Sequence, residues 1–204
     1  MNVFERHNIK TVVHVGANVG EELEMYTQHG VESLIFFEPR ISAFQALSER
    51  CQQYKNAFKE LTLHNVALGT TEGKITMYVA SNGQSSSILK PKHHLDVYPN
   101  IIFNHTNEVN ITRGDKIFNS NNPIDFLHID VQGYELEVLK GFGDLLENIK
   151  VIECEANIRE LYEGCALLEQ VDEYLSAKKF VRIFTPDMSD SGWGDCIYEK
   201  VLSS

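Results

Sequence analysis

The feature that most constrains the fold is the stretch 12–20, where a short β-branched apolar run breaks into a glycine-bearing turn and then takes on helical spacing. A strand that ends in a tight turn at a helix start brings backbone N–H groups and the positive end of the helix to one point. A ligand can approach such a point without side chains in its way. The stretch therefore predicts a cofactor site at the end of the first strand.

The spacing of the turn residues indicates the kind of cofactor. A dinucleotide fingerprint requires glycine at the first, third and sixth positions of the turn, and these positions hold Gly16, Asn18 and Glu21. Glu21 and Glu22 at the helix start also disfavour a pyrophosphate there, because like charges repel. S-adenosylmethionine fits better, since it has an ammonium, a sulfonium and no phosphate. An ordinary strand-to-helix turn without a ligand is the structural alternative.

Length and charge limit the classes of protein. A chain of 204 residues with 43% hydrophobic content is long enough for one domain with a sizeable core. We expect a single domain over residues 1–204, with a polar insertion or lid around 81–110. The formal net charge of −11 argues against nucleic-acid and anionic-membrane partners, because long-range repulsion opposes both encounters. No apolar stretch has the length of a membrane span or a signal peptide, so a cytoplasmic protein is expected.

The cysteines and histidines give no sign of a metal site. The four cysteines form no C-x-x-C pair, and reduced thiols are expected. No H-E-x-x-H motif occurs, and the adjacent His93 and His94 are interpreted as a surface pair. No metal ligands are therefore assigned.

Apolar runs alternate with helical spacing along most of the chain. Strands are predicted at 11–15, 33–37, 61–66, 124–129 and 150–154, and helices at 19–29, 42–57, 134–146 and 159–177. Residues 74–80 predict a further strand of an insertion or sheet edge, 81–110 a long loop, and 180–184 with 196–201 a terminal antiparallel hairpin. This order predicts an α/β fold with a mostly parallel, doubly wound sheet and ligands at the carboxyl ends of its strands.

Polar residues stand at several of these strand ends. Glu38 follows the glycine turn by about twenty residues, where a carboxylate accepts hydrogen bonds from the ribose of either NAD or S-adenosylmethionine. Asn65 and Ala67 are placed to flank an adenine edge. His128 and Asp130 share one strand face by the period of two, and a buried aspartate must be paired or line a cleft. The structural alternatives are a solvated acid for Glu38, a core histidine for His128 and a helix-start carboxylate for Asp130.

Three motifs resemble, in the same order, the FkbM-type family of S-adenosylmethionine-dependent methyltransferases. They are Val-Gly-Ala-Asn-Val-Gly at 15–20, Phe-Glu-Pro at 37–39 and Ile-Asp-Val-Gln-Gly-Tyr-Glu-Leu-Glu-Val-Leu-Lys-Gly at 129–141. The resemblance implies a class I methyltransferase (Rossmann-like) fold with a C-terminal antiparallel strand, and usually O-methylation of a sugar or other hydroxyl. His14 stands where the family commonly has Asp, and His128 where Lys is frequent.

The resemblance also implies roles for single residues. Gly16, Asn18 and Gly20 would surround the methionine part of the cofactor, Glu38 its ribose, and Asp130 the methyl-transfer region. The candidate cofactor-binding residues are His14, Gly16, Ala17, Asn18, Gly20, Glu38, Pro39, Asn65, Ala67 and Asp130. The catalytic candidates are Asp130, His128 and Glu155, and the substrate-side candidates are Ser85, Ser86 and Ser87.

The expected activity is transfer of a methyl group from S-adenosylmethionine to a hydroxyl of a sugar, glycan or related small molecule. Such an in-line displacement gains most of its rate from alignment, and a base assists because the alcohol loses its proton. Three alternatives stay open at this point. They are a Mg²⁺-assisted transferase using Asp130 and Glu155, an NAD-dependent oxidoreductase, and a catalytically silent nucleoside-binding or scaffold protein.

Overall fold

The computed structural model describes residues 2–201. Its strands are β1 Thr11–Val15, β2 Ser33–Phe37, β3 Glu60–His64, β4 Ala67–Leu68, β5 Gly73–Ala80, β6 Phe103–Thr112, β7 Phe126–Ile129, β8 Val151–Asn157, β9 Phe180–Phe184 and β10 Trp193–Lys200. Its α-helices are α1 Val3–His7, α2 Leu23–Gln28, α3 Ile41–Tyr54, α4 His94–Val97, α5 Gly114–Ile117, α6 Glu135–Phe142 and α7 Leu168–Ala177. A 3-10 helix spans Gly143–Asn148.

The main sheet has seven strands in the order β3-β2-β1-β7-β8-β10-β9. Only β10 runs against its neighbours, so six of the seven strands point the same way. The predicted parallel sheet with a C-terminal antiparallel hairpin is therefore confirmed. The strand order reverses at β1, between β2 and β7, and a crevice for a ligand is expected at the carboxyl end of this strand.

Helices cover both faces of this sheet, as the doubly wound prediction requires. Side chains from α1, α2 and α3 pack with Val12 and Phe126 on one face. Side chains from α6 and α7 pack with Val13 and Leu127 on the other face. Because both faces of β1 are buried, its sequence is a nearly continuous apolar run. None of the helices in residues 2–201 has the length and apolarity that crossing a membrane requires.

A second sheet of three strands, in the order β4-β6-β5, forms the insertion. β6 pairs with β5 in antiparallel register from Gly73 opposite Ile111 to Ala80 opposite Phe103. The structure thus differs from the predicted loop over 81–110, whose last eight residues belong to β6. Most side chains of β6 are exposed, with Val109 and Ile111 as its buried residues, so the strand lacks an apolar alternation in the sequence.

Two helices begin later than predicted. The helix predicted at 19–29 begins at Leu23, because the turn before it contains residues with positive φ. The helix predicted at 159–177 begins at Leu168. Residues 159–167 form a loop instead, in which Leu161 and Tyr162 are buried in a small cluster against the insertion.

Candidate functional site

A cavity of about 350 Å³ opens at the carboxyl ends of β1, β2 and β7. One end is lined by the turn after β1, by residues 38–40 after β2 and by Asp130 after β7. The other end is lined by side chains of the insertion, by Tyr162 and by Trp193. Its volume, and the apolar walls with a few convergent polar groups, are typical of a small-molecule site.

The turn after β1 depends on residues that tolerate positive φ. Gly16, Asn18 and Gly20 have φ values of 90°, 46° and 73°. A Cβ atom at Gly16 would lie 1.8 Å from the carbonyl oxygen of Asp130, so a side chain there would push the ends of β1 and β7 apart. Asparagine is among the few other residues that adopt this conformation readily. Asn18 therefore adopts a left-handed conformation at the third position of the turn, where the dinucleotide fingerprint has a glycine.

Glu38 links the end of β2 to this turn. Its carboxylate accepts hydrogen bonds from the backbone N–H of Asn18 at 3.0 Å and of Arg40 at 2.7 Å. The Arg40 guanidinium lies 3.4 Å from the same carboxylate and donates to Asn18 Oδ1 at 2.7 Å. Burial raises the pKa of Glu38, and the charge of Arg40 opposes that rise. No sequence pattern indicated Arg40 as a site residue; it follows Pro39 and is itself buried.

Most of the predicted cofactor-binding residues line the cavity. These are Gly16, Ala17, Asn18, Glu38, Pro39, Ala67 and Asp130. Asn65 lies outside the cavity wall and donates from its amide to the carbonyls of Glu38 at 2.9 Å and Pro39 at 3.0 Å. Gly20 packs beneath the turn, where an added Cβ would lie 2.7 Å from Leu47 Cδ1. Asn65 and Gly20 therefore do not line the cavity but support the segments that do.

His14 and His128 lie in the core below the cavity rather than on its wall. Their rings stack at 4.0 Å, and the Tyr26 hydroxyl lies 3.2 Å from His14 Nδ1 and 2.8 Å from His128 Nδ1. Burial lowers the pKa of His14 far below its usual value and that of His128 to about 4. The strand period correctly places His128 on the same face as Asp130. Asp130, beyond the strand end, lines the cavity, whereas His14 and His128 are not among the residues that line it.

Asp130 and Glu155 form a carboxyl pair on the cavity wall. The side-chain amide of Gln132 donates to Asp130 Oδ1 at 2.8 Å and to Glu155 Oε2 at 2.6 Å. Burial raises the pKa of Asp130 to about 6, and burial together with the charge of Asp130 raises the pKa of Glu155 well above its usual value. Because the charge of each carboxylate disfavours ionisation of the other, the pair binds a proton more tightly than two separate carboxyl groups would. No group of three or more metal-ligating side chains suited to an ion occurs within the described part of the chain.

Gln132 is a site residue that lies within the third motif, at 129–141, but was not among the predicted site residues. Its φ is 59°, in the left-handed region, and its Oε1 accepts a hydrogen bond from the Tyr162 hydroxyl at 2.8 Å. Glu135 holds the same loop, because its carboxylate accepts from the backbone N–H of Val131 at 3.1 Å and of Gly133 at 2.9 Å. The sequence signal that could have indicated Gln132 is an amide residue directly before a glycine, Gly133, at a strand-to-helix turn.

The three predicted substrate-side serines lie in the loop after β5. Residues 82–86 of this loop line the cavity and are called its roof below. Ser85 and Ser86 line it, whereas Ser87 is fully buried and donates to the carbonyl of Gln132 at 2.6 Å. Gln84 joins the roof to the turn after β1, because its amide donates to Glu21 Oε2 at 3.0 Å. The serine-rich loop is thus held on both sides of the cavity.

His94 is not the surface residue that the sequence predicts. It lines the cavity and is 2% exposed, with its ring 5.1 Å from Tyr98, 5.4 Å from Phe103 and 5.3 Å from Tyr162. The neighbouring His93 has a side chain that is 52% exposed and that hydrogen-bonds to Asp96 at 2.9 Å. His93 therefore lies at the surface and His94 in the site. The segment around them is polar and has no periodic pattern, so the sequence could not predict this difference.

The strand order, the antiparallel β10 and a cavity at the carboxyl edge beside β1 together define the class I, Rossmann-like methyltransferase fold. A sequence model of the methyltransferase FkbM domain matches residues 14–182. The chain belongs to this family, as the three sequence motifs predict.

Known proteins with similar sequences or structures agree with this assignment. The chain is 28% identical over 184 residues to the 2-O-methyltransferase NoeI of Sinorhizobium fredii, covering 85% of this chain and 74% of that protein. The crystal structure of methyltransferase FkbM from Methylobacillus flagellatus KT superposes with a TM-score of 0.61 at 18% identity. That match covers 94% of this chain but 44% of the other, so the chain spans less than half the length of that protein.

A third similarity concerns the fold alone. Magnesium protoporphyrin IX methyltransferase from Synechocystis PCC 6803, solved with bound S-adenosylmethionine, matches with a TM-score of 0.55 at 10% identity. The match covers 95% of this chain and 71% of that one.

Proposed function

We propose that this protein transfers the methyl group of S-adenosylmethionine to a hydroxyl of a sugar, glycan or related small molecule. The observation that carries the proposal is one cavity lined by the turn after β1 and Glu38, by Asp130 and Glu155, and by aromatic side chains that include Tyr162 and Trp193. The similarity to a 2-O-methyltransferase supports oxygen as the acceptor atom.

The residues of the first end suit S-adenosylmethionine better than NAD. Glu21, Glu22 and Glu38 line this end, and its one guanidinium, from Arg40, is committed to Glu38 and Asn18. Carboxylates attract the ammonium and sulfonium of S-adenosylmethionine and repel a pyrophosphate. Glu38 would hold the ribose, and the backbone of the Gly16 turn would lie against the methionine part.

When bound, S-adenosylmethionine supplies an electrophilic methyl group on a sulfonium. The chain then has to align an acceptor oxygen, exclude water and take the proton that the hydroxyl loses. Asp130 is suited to take that proton, because its raised pKa places it close to neutral pH and Gln132 fixes its orientation. The roof residues 82–86 cover the cavity and limit the entry of water.

The test combines binding and turnover on the intact chain. S-adenosylhomocysteine should raise the melting temperature, whereas NAD at the same concentration should not, because of Glu21 and Glu22. Asp130→Asn should lower the transfer of labelled methyl groups to hydroxyl acceptors at least tenfold, or about 1.4 kcal/mol in the barrier. The fold should persist, since the asparagine can still accept from Gln132.

The control is Asp144→Asn, which changes a carboxylate whose side chain is 92% exposed on the 3-10 helix. A larger melting shift with NAD would contradict the cofactor assignment. Binding of S-adenosylhomocysteine without methyl transfer to any hydroxyl would favour a silent nucleoside-binding protein. Loss of wild-type activity in EDTA would indicate a metal-assisted reaction.

A further inference from the structure

The far end of the cavity is a recess whose walls are largely aromatic. We define this aromatic recess by the cavity-lining residues His94, Tyr98, Ile101, Leu161, Tyr162 and Trp193. Tyr98 and Trp193 are fixed to one another, because the indole Nε1 donates to the Tyr98 hydroxyl at 2.9 Å. The recess is continuous with the reaction centre through Tyr162, whose hydroxyl donates to Gln132. None of its residues belongs to the turn after β1 or to residues 38–40, where the nucleoside is proposed to bind.

His94 is the polar residue of the recess that lacks a partner. The side chain is 2% exposed, and its Nδ1 has no hydrogen-bond partner among residues 2–201. An unsatisfied buried polar atom of this kind destabilises the fold. Burial also lowers the pKa of His94, so the imidazole is neutral near pH 7 and presents one N–H group and one lone pair. Nδ1 has almost no accessible surface, so the nitrogen that a ligand hydroxyl can meet is Nε2, which is neither hydrogen-bonded nor closed off within residues 2–201. A hydroxyl suits Nε2 in either tautomer, because it both donates and accepts.

The charges around the recess exclude one class of ligand. Among the residues that line the cavity, Arg40 is the only lysine or arginine. Its guanidinium already contacts Glu38 and Asn18. Asp130 and Glu155 line the same cavity. A carboxylate or phosphate placed here would lose its hydration and meet no free cation.

We propose that the aromatic recess binds the methyl acceptor, that the acceptor is an uncharged ring bearing hydroxyls, and that one of these hydroxyls hydrogen-bonds to the His94 imidazole. This inference rests on the proposed function and adds the residue that selects the acceptor. The apolar face of the ring packs against Tyr98 and Trp193, as ring ligands do on aromatic walls. Polar side chains of the roof, among them Asn82, lie within the same cavity and meet the remaining hydroxyls.

The recess contains its own optical probe, because Trp193 is the single tryptophan of the chain. The protein, saturated with S-adenosylhomocysteine, is titrated with a panel of methyl pyranosides while the tryptophan emission is followed. Each neutral pyranoside is paired with its uronate, which has the same ring and carries a carboxylate in place of the exocyclic CH2OH group. We expect a saturable change in emission with at least one neutral pyranoside and none with its uronate.

The matched variants are His94→Phe and His93→Phe, which make the same change at adjacent positions inside and outside the cavity. His94→Phe should raise the dissociation constant of the neutral pyranoside at least tenfold, whereas His93→Phe should change it less than twofold. Both variants should bind S-adenosylhomocysteine as the wild type does, which also shows that they fold. If His94→Phe does not fold, the imidazole ¹⁵N resonances of His94 in the wild type replace it, and these should shift with the pyranoside while those of His93 do not.

Equal affinity in His94→Phe, or unmoved His94 resonances on saturation, would overturn the role of His94. Uronates that bind as tightly as the neutral sugars would overturn the assignment of an uncharged acceptor. No saturable response to any sugar would overturn the recess as their site. Failure of the proposed function has a different signature, which is loss of S-adenosylhomocysteine binding or of methyl transfer in the wild type.

Discussion

Replacing the Glu153 carboxyl by an amide should stabilise the protein at pH 8 and much less at pH 5. This residue of β8 lies opposite His128 on one side and Ile197 on the other. Its side chain has no hydrogen bond or ion pair with another described residue, and Asp195 and Glu22 are its charged neighbours. Burial, and then the charges of Asp195 and Glu22, raise its pKa from 4.5 to about 7.

The sign follows from proton binding. A carboxyl whose pKa is higher in the folded state binds its proton more tightly there, so its contribution to stability is full below pH 4.5 and is lost as the pH rises through about 7. At about 1.4 kcal/mol per pH unit, the ionised Glu153 side chain costs roughly 3 kcal/mol at pH 8 but only about 1 kcal/mol at pH 5. Glu153→Gln keeps the shape of the protonated form and does not titrate.

We expect Glu153→Gln to stabilise the protein more at pH 8 than at pH 5, by a difference of about 2 kcal/mol. Urea unfolding of variant and wild type at both pH values measures this difference, and the titrating groups that do not interact with Glu153 cancel because both proteins share them. Glu173→Gln, on the exposed side of α7, is the control and should change stability by less than about 0.5 kcal/mol at either pH. A variant with the same stability difference at both pH values, or one less stable than wild type at pH 8, would refute the reasoning.

Three further substitutions test the geometry of the site. Gly16→Ala should destabilise the fold by more than about 2 kcal/mol in urea unfolding, because its Cβ would lie 1.8 Å from the Asp130 carbonyl oxygen; a normal unfolding midpoint would mean that the two loops are free to separate. Glu38→Ala should weaken S-adenosylhomocysteine binding by about 1.5–3 kcal/mol in calorimetry, and unchanged affinity would place this carboxylate outside the cofactor site. Gln132→Leu should lower the melting temperature and reduce methyl transfer, since Asp130 and Glu155 both lose their amide donor; full activity would show that the carboxyl pair orients itself without Gln132.

The main sheet was predictable because its central strands are buried on both faces. β1 and β2 appear in the sequence as the apolar runs 11–15 and 33–37, and their bounds agree with the structure. β6 could not be read in this way. It lies in a small, largely exposed sheet, where pairing with β5 rather than burial of side chains fixes the strand.

The candidate site was predictable where one strand end fixes a residue, and not where distant segments meet. Asp130 follows its strand directly, and its position in the cavity agrees with the prediction. Local spacing placed His128 on the correct sheet face, but it could not show that α2 brings Tyr26 against that face and closes it off from the cavity. His94 becomes a site residue through its packing against Tyr162, which is 68 positions further along the chain, and no local pattern reports such a contact.

The position of β1 in the interior of the sheet, between β2 and β7, also matters while the chain is being made. Its neighbour β7 ends at Ile129, whereas β1 ends at Val15, so the ribosome must add 114 residues before the two strands can pair. At about 5–20 residues per second this takes roughly 6–23 s. Throughout this interval one edge of an apolar strand is open on the nascent chain, and such edges pair readily with other chains. The strand that anchors the finished sheet is therefore the segment most in need of a chaperone during synthesis.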